Sequence, residues 1–361
     1  MADALKDMFS KKFYERLALE FNKVDKNFHP DKFVKDVIKN IDSLSLNQRM
    51  RNTSMVLKQH LPSDYKKAID IMWEVIPEFK SSYTALLFPD FVGQYGHTDF
   101  KLSMDALKYF TQFGSSEFAV REFLKRDLEK TLAVMKKWSE DKSYHIRRLS
   151  SEGSRPRLPW SFNIQAIANN PEYTRPILER LKTDSELYVK KSVANHLNDF
   201  SRINPDWMLN VINAWDKKNS DTAWIVKHAS RTLIKNGDAR SLAIFHYEKS
   251  PSLKVENLKF EKFKINLGES LQFSFDLTSQ KSTSQKLVID FVVHYQKKST
   301  VLVPKVFKLK DLYLKSQQTI SIEKSHRFID FTTRKHYPGK HMLEIMINGK
   351  SYGKKEFVLF T

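Results

Sequence analysis

Residues 147–160 read RRLSSEGSRPRLPW. Four arginines (Arg147, Arg148, Arg155 and Arg157) crowd around Gly153, Pro156 and Pro159, and Trp160 closes the run. A basic helix is usually a solvated face. A loop stiffened by glycine and proline that gathers arginines and ends in an indole fits a surface that holds a polyanion beside an aromatic plate. Guanidinium forks match phosphate oxygens, and a flat π-face suits a nucleobase. The plainer reading is a connecting loop between repeats with incidental charge.

Working outward, the residues that lead into this run recur. Ile146-Arg147-Arg148-Leu149, Val189-Lys190-Lys191-Ser192 and Val226-Lys227-His228-Ala229 align at offsets of 43 and then 37 residues. A β-branched residue followed by two bases at that spacing suggests helical hairpins of HEAT type, whose unit is about 40 residues. Such units stack into a solenoid with one extended concave surface. Up to about residue 250 the apolar spacing is helical: Leu17, Phe21 and Val24, then Val34, Val37, Ile38 and Ile41, recur at steps of three and four. Pro30, Pro62, Pro77, Pro89, Pro171, Pro176 and Pro205 punctuate the helices. Asn236-Gly237-Asp238 is expected to stop the last of them.

The period changes after Pro251. Leu271, Phe273, Phe275 and Leu277 alternate with polar neighbours, as do Leu287, Ile289, Phe291, Val293 and Tyr295, then Leu343, Ile345 and Ile347. Asn348-Gly349 sits where a hairpin would turn, with Phe357 and Leu359 returning. The expected architecture is therefore an all-α HEAT-like helical-repeat solenoid over 1–250, followed by an immunoglobulin-like β-sandwich over 251–361. The second segment holds 20 basic against 10 acidic residues, so the first 250 carry only +9 of the net charge. That density makes the sandwich a second grip on the same anion, clamping a ligand cradled by the solenoid.

The whole chain has 61 Lys+Arg against 42 Asp+Glu, a net +19 over 361 residues. The excess calls for an anionic partner. No apolar run approaches the roughly 18 residues of a membrane span, and the charged opening does not suit a signal peptide. There is no cysteine, which removes thiolate catalysis and thiolate metal sites and suits a reducing cytoplasm. The histidines lack ligand spacing, and no phosphate-loop, nucleophile-elbow or HExxH motif occurs, so neither metal nor cofactor is expected.

On the helix expected near 187–202, Val189, Val193, Leu197 and Phe200 face inward, while Lys191, Asn195, Asp199 and Arg202 share another face. Repeat alignment puts Arg148 and Glu152, then His228 and Thr232, on the matching faces of neighbouring units. Arg147, Arg148, Arg155, Arg157, Lys190, Lys191, Lys227 and His228 are the expected phosphate contacts. Asp199 stands out, because an acid on a phosphate-binding face weakens binding unless it holds a base or meets a cation. Glu117, in GSSEFAVREFL, is a second candidate acid, expected in the first turn of a helix capped by Ser115 or Ser116; Glu122 competes with it.

The run HIRRLSSEGSRPRLPW, followed by SVANHLNDFSRINPD at 192–206, resembles the HEAT-like-repeat alkylpurine DNA glycosylases, AlkC branch. The basic sandwich resembles the immunoglobulin-like domain of one subgroup, so the likeness spans the chain. It implies excision of cationic N-alkylated bases, of the 3-methyladenine and 3-methylcytosine type, from duplex DNA in base excision repair. By that resemblance the enzyme works without flipping the base into a pocket, needs no obligate protein partner or membrane, and acts as a monomer at the nucleoid of a bacterial-type cytoplasm. Trp160 and Asp199 would lie at the lesion, with Glu117 as second acid. The rival reading is a non-catalytic repeat scaffold that binds nucleic acid or acidic protein.

Overall fold

The computed structural model describes residues 5–79, 83–331 and 335–360. Sixteen α-helices lie among them, from Lys11–Val24 to Ala239–Ile244, and eight strands follow. Local chemistry sets many of the helix starts. Asp64, Asp99, Asp127 and Asp238 each accept the backbone N–H three residues on, at 3.0, 3.0, 3.1 and 2.8 Å, satisfying one of the donors a helix start leaves open. Pro30 and Pro171 open their helices at positions where no N–H is needed. The stripes seen in the sequence point inward: Leu17, Phe21 and Val37 are fully buried, as are Val189, Val193, Leu197 and Phe200.

The chain divides into two compact units, Met1–Met208 with Ala214–Ala229, and Leu209–Asn213 with Ser230–Thr361. In the first, the helix Leu187–Ile203 packs between Tyr144–Gly153 and Ser220–Ala229. The three helices that carry the repeated motif are thus neighbours, as a stacked helical array requires.

The second unit is a two-sheet sandwich. Strands β1 (Leu253–Phe260), β2 (Lys264–Asn266), β3 (Ser270–Ser279), β4 (Gln285–Gln296), β5 (Leu302–Leu314), β6 (Thr319–Arg327), β7 (Gly339–Ile347) and β8 (Lys350–Phe360) form sheets ordered β1-β3-β6 and β2-β8-β7-β4-β5. Their inward faces enclose Phe273, Phe275, Ile289, Phe291, Ile345 and Phe357. β7 turns into β8 at Asn348 and Gly349, with φ of 47° and 77°, the left-handed pair a tight hairpin requires.

One boundary differs from expectation. The change of period near residue 250 marks where helix gives way to strand, but packing divides the chain earlier. Asn236 and Gly237 end the helix Arg231–Lys235, and Asp238 caps a further one, Ala239–Ile244. Ile234, Leu242 and Tyr247 then bury Val288 of β4 on the outer face of the larger sheet. Gly237 (φ 70°) and Gly349 meet so closely that a Cβ on Gly349 would lie 2.2 Å from the Cα of Gly237.

Candidate active site

The repeated bases have a structural duty that the sequence reading gave to ligand. Lys108 pairs with Asp141 at 2.7 Å, Arg147 with Asp184 at 2.6 Å, and Lys190 with Asp221 at 2.6 Å. The three acids repeat at the same offsets as Ile146, Val189 and Val226, each five residues ahead. They are ties from one unit to the next. Arg147 also donates to the carbonyls of Asp141 and Lys142.

A second ionic arrangement gathers the candidate acids. From the helix Glu117–Arg126, Glu117 meets Arg148 of Tyr144–Gly153. Arg148 reaches Glu152 one turn on at 3.6 Å; Glu152 accepts Arg155 at 2.6 Å; Arg155 closes a fork on Asp199 of Leu187–Ile203 at 2.8 and 3.1 Å. The result is a chain of alternating charge, Glu117–Arg148–Glu152–Arg155–Asp199, whose side chains are no more than 15% exposed. Burial raises the Asp199 carboxyl above its usual range, against the opposing pull of Arg155. Burial works to lower Arg148 and Arg155, but their acid partners outweigh it and both guanidiniums end up higher. Such a network is costly to desolvate and strongly coupled once formed.

Arg147, Arg148, Arg155 and Lys190, expected as phosphate contacts, are all ion-paired within the protein. Each is committed to an internal acid, because the repeat supplies a carboxylate within reach. Arg157, Lys191, Lys227 and His228 remain exposed, with His228 stacked on Trp224 at 4.1 Å. Glu117 is the first residue of its helix, after Ser116, as expected. Ser116 gives its hydroxyl to the carbonyl of Leu107, while Ser115 donates to Glu117 at 2.7 Å. Glu122 lies apart from the chain, on a cleft-facing side of the same helix.

The loop beyond Gly153 is fixed from beneath by Arg121. Fully buried, it donates to the carbonyls of Gly153 at 3.0 Å, Arg155 at 2.6 Å and Phe162. Burial, then the neighbouring Arg155, pulls its guanidinium down to about 10. His196 is buried below the same loop, its Nδ1 donating to the Ser151 carbonyl at 3.0 Å, and burial lowers it to about 3. Trp160 crowns the loop with φ 66° and 71% of its surface exposed. A left-handed, bulky, solvent-facing residue is unfavourable on both counts and persists where the surroundings enforce it. Here Ser161 N donates to Leu158 O and Ile164 N to Pro156 O, both at 3.1 Å.

Glu152 and Arg121 were missed as site residues. Glu152 had a legible signal, lying one helical turn after Arg148 and three residues before Arg155. Arg121 had none, since an arginine between Val120 and Phe123 reads as a solvated break in an apolar stripe.

Comparison with known proteins finds relatives along the whole chain. Residues 96–233 match the family model "DNA alkylation repair enzyme", and residues 254–361 match "Uncharacterised protein YhaZ, C-terminal Ig-like domain". The Bacillus subtilis (strain 168) protein YhaZ is 40% identical over 358 residues, 99% of each chain. The Pseudomonas fluorescens alkylpurine DNA glycosylase AlkC, solved bound to DNA containing an abasic site analog, is 43% identical and superposes with a TM-score of 0.95. That match covers 99% of this chain and 100% of the other.

Proposed function

Because this chain belongs to the AlkC branch of the alkylpurine DNA glycosylases, we propose that it removes cationic N-alkylated bases, of the 3-methyladenine and 3-methylcytosine type, from duplex DNA. The observation that carries the reading is a set of three carboxylates held by guanidiniums in a chain of net charge +19.

A base alkylated at ring nitrogen already carries positive charge. When the C1′–N bond breaks, its electron pair leaves with the base, which becomes neutral, and the sugar becomes an oxocarbenium ion. Water then adds to C1′ and gives up a proton. No strong general acid is required for such a leaving group. What the site supplies is fixed negative charge beside the sugar and an acceptor for the water. Asp199 and Glu117 take those roles, and Trp160 packs against the sugar or lesion. The base need not enter a pocket.

A unit charge pair at about 4 Å with an effective dielectric near 20 is worth about 4 kcal/mol. If half survives desolvation, the rate gain is about 30-fold. Arg155 and Arg148 hold the acids where the sugar charge develops, which is the preorganisation that gives fixed dipoles and charges their leverage. Arg157, Lys191, Lys227 and His228 are the remaining candidates for phosphate contact, acting at the bacterial nucleoid as a monomer.

Incubating the protein with methylated DNA and identifying the released bases tests the reading. Free 3-methyladenine or 3-methylcytosine supports it, and saturated binding without release overturns it in favour of a scaffold. Asp199→Asn is expected to slow single-turnover excision about 30-fold while DNA affinity holds or rises. Since burial raises the Asp199 carboxyl, the acid limb of the excision-rate profile should lie above the ordinary carboxylate range.

A further inference from the structure

A cleft of about 310 Å³ opens on a different side of the Glu117–Arg126 helix from the ion chain, between that helix, Leu46–His60 and Leu87–Tyr95. Its size is at the small end of ligand pockets. Trp160 and Phe162 form one wall, and Met50, Phe118 and Ala119 supply apolar lining. Glu117 and Glu122 are five residues apart, about 140° around a helix of 3.6 residues per turn. One side of the helix therefore serves the ion chain and another serves the cleft.

The polar groups of the cleft are held in place before any ligand arrives. Asp90, 7% exposed, accepts Nε and Nη2 of Arg51 at 3.1 and 2.9 Å and Gln94 at 2.7 Å. That fork leaves Nη1 of Arg51 without a hydrogen bond among the described residues, on a head that is half exposed. Across the cleft, Glu122 forms no ion pair among the described residues. Trp160 is braced from the same quarter: the edge of its ring meets Tyr83, with centroids 6.5 Å apart, and the Tyr83 hydroxyl donates to Asn47. The strained indole thus borders this cleft.

We propose that the cleft is a second base site, taking one unstacked nucleobase that presents an exocyclic amino group beside a ring-nitrogen acceptor. Arg51 Nη1 donates to the ring nitrogen, Glu122 accepts from the amino group, and Trp160 and Phe162 cover the ring. Flat aromatic walls contribute about 1–3 kcal/mol per stacked base in other nucleic-acid sites. The inference rests on the glycosylase reading above, because that chemistry provides two sources for such a base. One is the base just released. The other is an intact base of the strand, unstacked where the lesion leaves a gap.

Two probes distinguish the sources, both with the full-length protein bound to duplex carrying an abasic-site analogue. Free 3-methyladenine is titrated by equilibrium dialysis, and in a separate duplex 2-aminopurine opposite the abasic site reports unstacking by its emission. Arg51→Gln and Glu122→Gln are compared with the parent, the second because it leaves no buried partner uncompensated. A tenfold or greater loss of 3-methyladenine affinity in both variants assigns the cleft to the released base. An emission change that the parent shows and both variants lose assigns it to the strand. If both variants match the parent with both probes, the proposal is overturned. If no base is excised from methylated DNA by the parent itself, the glycosylase reading fails, and that result is separate from the other two.

Discussion

Asp199 and Asp290 are both carboxylates taken largely out of water, one in each unit, and the chain treats them in opposite ways. Asp199 receives a two-point guanidinium fork whose other edge holds a second acid. Asp290 on β4 is 3% exposed, its Oδ1 has no hydrogen-bond partner among the described residues, and burial pushes it up to about 6 despite Lys235 and Lys308 nearby. Stability is gained at neither place for free. The helical unit offsets the desolvation of its acids with arginines. The sandwich leaves its acid half-titrated near pH 6.

The contrast breaks most sharply if Arg155 is removed. Arg155→Met leaves Asp199 without its fork and should cost about 3–5 kcal/mol, read as a lowered urea midpoint. Adding Asp199→Asn to it should recover part of the loss, because the remaining cost belongs to the orphaned charge; a double variant no more stable than the single would show that packing alone matters.

Asp290 should behave in the reverse sense. Its folded value of about 6 exceeds the ordinary 3.8, so the native state holds a proton that the unfolded chain releases. The stabilisation is full below about pH 4 and is lost as pH rises through 6. Asp290→Asn should therefore raise stability by up to about 3 kcal/mol at pH 7.5, and the gain should vanish near pH 4. Thermal melts across that range decide it, and a gain independent of pH would refute the titration account.

The smallest effect is expected at the ties between repeats. Lys190→Met removes a partly exposed pair with Asp221 and should cost about 1 kcal/mol or less, with excision unchanged. A loss as large as that of Arg155→Met would mean that the ties and the acid chain form one network.

Much of this was legible in the residues. Helical steps at Val189, Val193, Leu197 and Phe200 and the alternation from Leu271 onward reported burial directly, since both follow from which face meets the core. Asn348-Gly349 announced its turn because few other pairs adopt two left-handed residues in a row. The arginines misled for a physical reason. Charge in a sequence carries no sign of its partner, and Asp184 lies 37 residues from Arg147. The acids repeating five residues ahead of each motif were the available clue. Arg121 and the φ of Trp160 depend on how a loop closes in three dimensions, which no local pattern encodes.

The meeting of Gly237 with Gly349 bears on inheritance. Two turns more than a hundred residues apart touch backbone to backbone, so Gly349 tolerates no side chain while Gly237 stays where it is. The short helices from 231 to 244 are thereby keyed to one particular hairpin. Recombination that moved only the strands to another gene would leave Val288 bare and this key without its lock, whereas an exchange point near 230 would carry the whole fitting along.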